Sequence, residues 1–399
     1  AEAKITATEV ATGVVTSATS SDSGDYRIAT LRPGVYSISA TRANFKTVTI
    51  NDIQLLVGKT TRVDIGLEVG EVVEKVTVEG NAPLVQTDTA ERGAIMGRRE
   101  VEALPLNSRN ITELTYLIPG AAKSSTQGEP VPDVNSLGAT RNQYYVDGGG
   151  STSMYAGQPV ERVSIDTVQE FKVETALMTA DRGLHAGSII SVATRQGTNQ
   201  FHGVAYEFFR NNILNARNPF ATTIPTLRYN QFGATLGGPL VKNKLFFLAN
   251  YEASYERRAR TFNVTMPTVA EKRGDFTPGT GAKNADIFDP LSVDATTGLR
   301  APFPDNKIPD SRINPISRKY LSLWPDPQTT GSPNYIFNAP SKNDFDRFAV
   351  RVDYNLREKD RFLLRYGRQN NPVLSPGSVP GAATGVTGDT ASGHALVVS

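Results

Sequence analysis

Hydrophobic and polar positions change their period along the chain. Residues 1–79 carry short β-branched or aromatic runs: Val14-Val15, Tyr26-Arg27-Ile28, VYSISA at 35–40, TVTI at 47–50, TRVDI at 61–65 and VTV at 76–78. Turn chemistry at Ser23-Gly24-Asp25, Pro33-Gly34 and Val57-Gly58-Lys59 separates them. Turn signals every 8–12 residues or so predict a small β-sandwich.

Residues 80–200 mix the two periods. Arg98–Ala103 and Ile111–Leu117 have helical spacing, with Ile111, Leu114 and Leu117 or Ile118 on one face. Asn107 and Ser108 are placed to cap the second helix, and Pro119-Gly120 ends it. Strand-like stretches follow at 143–146, 171–175 and 188–194, with an Asp147-Gly148-Gly149-Gly150 turn after the first. An α+β unit is expected.

Residues 201–399 alternate strongly. In 345–356 one face holds Phe348, Val350, Val352, Tyr354 and Leu356, the other Arg347, Ala349, Arg351, Asp353 and Asn355. Residues 245–256 set Phe247, Tyr251 and Tyr255 against Asn250, Glu252 and Glu256, and 232–240 align Phe232, Ala234, Leu236 and Leu240. Five strands are expected between 201 and 371 and a sixth at 394–399. Turns 241–244 and 357–360 are short and charged, whereas 257–342 is 86 residues long and holds 11 of the 24 prolines. Short turns at one end and long loops at the other suit a membrane β-barrel better than a soluble sandwich.

Composition removes several classes of function. Lys+Arg 42 against Asp+Glu 40 leaves a net charge of +2, which gives no global pull toward nucleic acid. Cysteine is absent, so disulfide frameworks and thiolate chemistry are excluded. No apolar run is long enough for a transmembrane helix, a test that does not detect β-barrel strands. The opening AEAKITATEV has no initiator Met, basic n-region or apolar h-region, so no export signal is visible. Both ends read as cut from a longer polypeptide.

The string GDYRIATLRPGVYSISATRANFKT resembles the carboxypeptidase regulatory-like domain, an accessory module without catalytic residues, which implies a prealbumin/Ig-like β-sandwich. LPLNSRNITELTYLIPG (104–120), NQYYVDGGG (142–150) and TVQEFKVET (167–175) resemble successive pieces of the plug of Oar-like TonB-dependent receptors. DRGLHAGSIISVATRQGTNQFHGVAYEFFRN (181–211) and RYNQFGATLGGPLVKNKLFFLANYE (228–252) resemble the same family, in the same order. The resemblance implies a mainly β chain in three parts. These are a sandwich at 1–79, an α+β plug domain at 80–200, and the N-terminal part of a transmembrane antiparallel β-barrel at 201–399, with the long loop at 257–342. A barrel of about 22 strands encloses a lumen wide enough to need a plug.

From the resemblance follow a bacterial outer-membrane location, a lipid environment and a TonB-type energy-coupling protein on the periplasmic side. An extracellular ligand of siderophore, cobalamin, glycan or peptide class is also implied, and no cofactor. Glu74, Lys75, Val76, Thr77, Val78 and Glu79 resemble the acidic-Thr-Val pattern of a TonB box, and a last sandwich strand fits them equally. Tyr145, Val146, Asp147 and Gly148 form the plug motif, although a strand ending in a turn explains the same residues.

No catalytic or metal-binding constellation is present. His185, His202 and His394 are scattered, the Asp344/Asp346 pair lacks an acid partner, and Arg273-Gly274-Asp275 is a chance tripeptide in a polar loop. A surface assembly or adhesion protein without transport, and a secreted carbohydrate-binding β-protein, stay open as alternatives.

Overall fold

A computed structural model describes residues 2–29, 31–70, 75–79, 92–104, 106, 109–123, 132–134, 141–153, 158–176, 187–217, 224–278, 286–358, 360–377, 379 and 387–399. Three β-sheets of five, five and six strands carry the architecture.

The first sheet contains β1 (Lys4–Glu9), β2 (Val15–Thr19), β3 (Gly34–Thr41), β4 (Thr47–Leu55) and β5 (Lys75–Glu79), in the order β2-β1-β3-β4-β5. Alternation buries Ile5 and Ala7 of β1 against Tyr36, Ile38 and Ala40 of β3. Two expected strands differ from this pattern. Residues 26–28 and 61–65 are extended with the right period, but they join no ladder.

The second sheet is built from β6 (Arg92–Gly97), β9 (Gln143–Val146), β10 (Gly149–Gly150), β11 (Val168–Ala176) and β12 (Ile189–Thr194), ordered β10-β9-β12-β11-β6. β9 and β12 run parallel, and the other pairs are antiparallel. A small hairpin, β7 (Ala121–Lys123) with β8 (Pro132–Val134), lies in between. The helix α1 (Arg98–Ala103) and the segment Ile111–Leu117 cover the sheet, and Val101, Ile111 and Leu114 pack on Phe171, Val173 and Ile190. Ile111–Leu117 is a 3₁₀ helix and not the expected α-helix. Its β-branched Ile111, Thr112 and Thr115 weaken α propensity, and Asn110 accepts the Thr112 N–H at its start. The expected caps Asn107 and Ser108 lie outside the described residues, as do His185, Glu74 and all of 80–91.

The third sheet is antiparallel and follows chain order: β13 (His202–Asn211), β14 (Leu227–Val241), β15 (Leu245–Val264), β18 (Tyr335–Asn355), β19 (Arg361–Ser375) and β20 (Thr387–Val398). The sixth strand is therefore longer than expected. β15 and β18 pair from Leu245↔Tyr354 to Val264↔Tyr335, so strand structure continues past the expected loop bounds at 257 and 342. Stacked Phe262 and Phe337, 5.4 Å apart, hold that extension together. The intervening loop carries β16 (Phe288–Val293), β17 (Arg300–Pro302), α2 (Val269–Lys272) and α3 (Pro315–Leu321).

This third sheet is inside out by the standards of a soluble protein. On β18, Phe348 is 43 % and Tyr354 38 % exposed, while Arg347 is 7 % and Asp353 0 % exposed. Phe232, Leu236, Tyr251, Phe362, Leu364 and Leu396 repeat the outward apolar face on the other strands. Such a band faces lipid, and the charged face turns to the lumen.

Candidate functional site

Inner-face charges of the third sheet meet the second sheet residue by residue. The Asp147 carboxylate accepts the Thr194 N–H at 2.8 Å and its hydroxyl at 2.6 Å, which ties the turn after β9 to the end of β12. Arg351 of β18 reaches the same point, donating from Nη1 to Asp147 at 3.1 Å and to the Thr194 carbonyl at 2.6 Å. Its other nitrogens clasp Asp353 at 2.8 and 2.9 Å. Arg365 of β19 binds Glu161 through both oxygens, at 2.7 and 2.5 Å, and stands 3.6 Å from Asp147.

The first sheet joins the cluster from below, where Arg32 donates to Asp353 at 2.6 Å. Arg32, Arg351 and Arg365 are thus balanced by Asp147, Asp353 and Glu161. Every member except Arg32 is almost fully buried. A buried charge persists only where it is paired and hydrogen-bonded, and here the pairs bridge three sheets. A cavity of about 960 Å³ opens beside them, lined among others by Arg32, Tyr145, Asp147, Arg195 and Arg351.

Further along β15, Glu252 accepts from Arg347 (2.6 Å), Ser164 (2.7 Å) and Gln231 (2.8 Å). Arg347 also donates to the Arg162 carbonyl at 3.0 Å. Burial lowers Arg162 to about 10, and the Arg347 charge adds to the effect. Arg109 completes the seam. Held by Asp166 at 2.7 Å, its guanidinium lies 4.4 Å from the Tyr206 ring centroid and 5.2 Å from that of Phe208 on β13.

A second set of charges joins the first and second sheets. Glu170, Lys172 and Glu174 alternate on β11 opposite the Phe171-Val173 core face, and all three are buried. Lys172 pairs with Glu174 at 2.6 Å. Glu170 accepts the Val57 N–H of the first sheet's turn at 2.8 Å. Burial raises Glu170 to about 7, against the opposing pull of that N–H, Lys172 and Lys59.

The residues expected from sequence fall in two places. Tyr145, Val146, Asp147 and Gly148 stand at the junction. Asp147 (φ 49°) and Gly148 (φ 84°) make the turn, and Asp and Gly are residues that adopt such angles. Asp147 is thus both a turn residue and the acceptor of the barrel-wall arginine. Lys75, Val76, Thr77, Val78 and Glu79 form β5, which runs parallel to β4 and, among the described residues, pairs with no other strand. His202 lies exposed beside Thr198 and Gln200, and His394 contacts the Tyr366 hydroxyl at 2.8 Å. Asp344 pairs with Arg257 and Lys342. Arg32, Glu161 and Arg365 were not singled out from the sequence, and Glu252 entered only as one residue of a polar strand face. Their signal was charge on the strand face opposite an unbroken apolar one.

These features define an outer-membrane barrel wall with a folded domain pinned to its inner face. The chain belongs to the outer membrane beta barrel domain family, whose pattern it matches over residues 193–399; a carboxypeptidase regulatory-like domain matches residues 1–68. It is an outer-membrane protein. It is also 29 % identical over 261 residues to the TonB-dependent transporter Oar of Myxococcus xanthus, a match covering 60 % of this chain and 24 % of that protein. The chain therefore spans about a quarter of the length of that curated relative. Among solved structures it is similar to the outer membrane transporter YddB from Escherichia coli (11 % identity, 72 % of this chain and 34 % of that one, TM-score 0.43). It is likewise similar to the siderophore receptor PirA from Acinetobacter baumannii (17 % identity, 77 % and 44 %, TM-score 0.37).

Proposed function

We propose that the chain is the periplasmic sandwich (1–79), plug (80–200) and first barrel strands (201–399) of a TonB-dependent transporter that takes up an extracellular ligand actively. The ligand, of siderophore, cobalamin, glycan or peptide class, docks at the outer loops and the plug. A TonB-type protein grips a periplasmic segment and pulls the plug away from the wall. The energy comes from the inner membrane, because the outer membrane holds no gradient.

The observation that carries this reading is the seam of Arg351, Arg365 and Arg347 against Asp147, Glu161 and Glu252. It supports a domain seated inside a barrel through contacts that water can replace. Residues 74–79 serve as the coupling segment. Among the described residues β5 has a neighbour on one side only, and its other edge can accept a TonB strand by β-augmentation.

The test uses the full-length protein in cells. The 399 residues contain no cysteine, so Val76→Cys adds a single thiol to this region. It is expected to cross-link to a cysteine placed in the C-terminal domain of TonB. Val76→Pro, which removes one backbone donor, is expected to abolish gradient-dependent uptake of a labelled ferric siderophore, cobalamin, oligosaccharide or peptide while surface binding persists. Unchanged uptake in Val76→Pro would overturn the assignment of the coupling segment. Failure of the whole panel to accumulate in the wild type would overturn transport.

A further inference from the structure

One end of the third sheet carries the turn 242–244 between β14 and β15, the turn 356–360 between β18 and β19, and the segment 195–201 that joins β12 to β13. The first domain is bonded beside all three. On the wall, Arg32 donates to Asp353 at 2.6 Å and to the Phe362 carbonyl at 3.3 Å, and Ser17 donates to Glu358 at 3.1 Å. Arg361 in turn donates to the Thr16 hydroxyl. On the joining segment, Asn199 donates its N–H to the Ala11 carbonyl at 3.2 Å and its amide to the Thr12 carbonyl at 2.6 Å. The same side chain exchanges two hydrogen bonds with Asn243 of the wall, at 2.6 and 2.9 Å. Gly13 (φ 69°) permits this close approach, because a Cβ there would stand 3.0 Å from the Asn243 Oδ1. Residues 195–201 are the chain's passage from the second domain to the wall, and Asn199 clamps that passage between Thr12 and Asn243.

We propose that the first domain is a latch, which holds the second domain against the wall and has to leave the rim before that domain moves. The inference rests on the transport reading, which gives the second domain a reason to move, and adds to it a separate, earlier step. Geometry supports it. The second domain is held from two sides, by the wall through Asp147 and Arg351 and by the first domain through Glu170 and the Val57 N–H. The hinge between them cannot swing while Asn199 keeps its bonds to both neighbours. Bond chemistry supports it too. The contacts named at the rim are hydrogen bonds and one ion pair, and water can take over each of them once the surfaces part. The path of the force agrees. β5, the proposed coupling segment, is laddered to β4 of the same first domain, so a pull on residues 74–79 loads the latch directly.

The test uses the full-length protein in detergent micelles, with no ligand and no TonB. Ser17→Cys with Glu358→Cys places two thiols across the rim in a region that has none, any cysteine elsewhere being replaced by Ser. A short, reducible bis-thiosulfonate bridges them. Hydrogen exchange in peptides covering 143–146 and 189–194 reads the second domain, and the amides of β18 report that the wall stays folded. Bridging is expected to slow exchange in those peptides about tenfold, and reduction to restore it. Asn199→Ala removes three side-chain hydrogen bonds at the hinge and is expected to speed that exchange roughly tenfold. Bridging the rim in Asn199→Ala should bring it back. Exchange indifferent to the bridge would overturn the proposal and make the first domain a passive tether. So would an Asn199→Ala variant that exchanges no faster, or whose faster exchange the bridge does not reverse, since the hinge bonds would then act only locally. Uptake is not read, so failure of the latch and failure of transport are told apart.

Discussion

Asp147→Asn isolates the charge at the centre of the seam. Asn keeps the size of the side chain and tolerates the positive φ of this turn, so the backbone stays as it is. What changes is the balance. Arg32, Arg351 and Arg365 would face Asp353 and Glu161 alone, leaving one buried positive charge without its counterion. The amide also loses one of two acceptors, and either the Thr194 N–H (2.8 Å) or its hydroxyl (2.6 Å) goes without its bond. Removing one partner of a buried ion pair costs about 3–5 kcal/mol. Arg351 keeps both bonds to Asp353 and one to the Thr194 carbonyl, which brings the expected loss to about 2 kcal/mol. At about 1.4 kcal/mol per factor of ten, amides of β9 and β12 that exchange by leaving the wall should do so roughly 30-fold faster. Hydrogen exchange in detergent, resolved to peptides covering 143–146 and 189–194, measures this. The amides of β18 serve as the internal control. Acceleration below about threefold would refute the view that this charge pins the domain.

Three further outcomes are expected. Glu170 is raised by burial to about 7 from an ordinary 4.5. Its buried form therefore keeps a proton that the exposed form releases, and burial of this carboxyl under the turn at 56–59 should weaken as pH rises from 4.5 to 7, although the Val57 N–H itself favours the ionised form. Limited proteolysis of the turn at 56–59 across that range checks this, and Glu170→Gln should flatten the profile. Gly367→Ala would push a Cβ into the Glu161 carboxylate that Arg365 holds, costing about 1–3 kcal/mol, read as lower thermal stability in micelles. Protease added to intact cells making the full-length protein should cut within 265–334 and spare the turns at 242–244 and 357–360, and cleavage confined to those turns would invert the topology.

Local chemistry made some of this legible and hid the rest. The β18 alternation of Phe348, Val350, Val352 and Tyr354 against Arg347, Arg351 and Asp353 is a property of one strand, and the structure keeps it intact. The partners of those charges are not local, since Asp147 lies 204 residues before Arg351. Asp147-Gly148 therefore read as a plug motif or a plain turn, with no partner for its carboxylate. The ends of β15 and β18 were hidden by the polar run Arg257-Arg258-Ala259-Arg260, which looks like loop until Phe262 and Phe337 are seen to stack. Residues 26–28 and 61–65 show the opposite failure. Their period is that of a strand, but a ladder needs a neighbour at bonding distance, and no single-strand signal reports one.

The distribution of apolar and charged contacts bears on how such a domain could leave the wall. Its main core, from Val101 and Leu114 to Phe171, Val173 and Ile190, contains no residue of the third sheet. Its contacts with that sheet include Arg351, Arg365, Arg347 and Glu252, the Arg109 stack on Tyr206, Arg162 over Phe345, and Gln369 bonded to Val160 and Arg162. Separating an apolar interface would expose surface at about 25 cal/mol per Å² with nothing returned. Separating paired charges in a wet lumen returns most of their cost as hydration, because burying them was expensive to begin with. Phe246 and Leu248 are buried apolar residues on the inner face of β15, next to the 242–244 turn. Above them the seam turns polar at Asn250 and Glu252. Buried Phe345, opposite Ser254, adds a second apolar point beyond Glu252 on the same face, so apolar contacts and ion pairs alternate along the wall while the main core of the domain includes none of its residues.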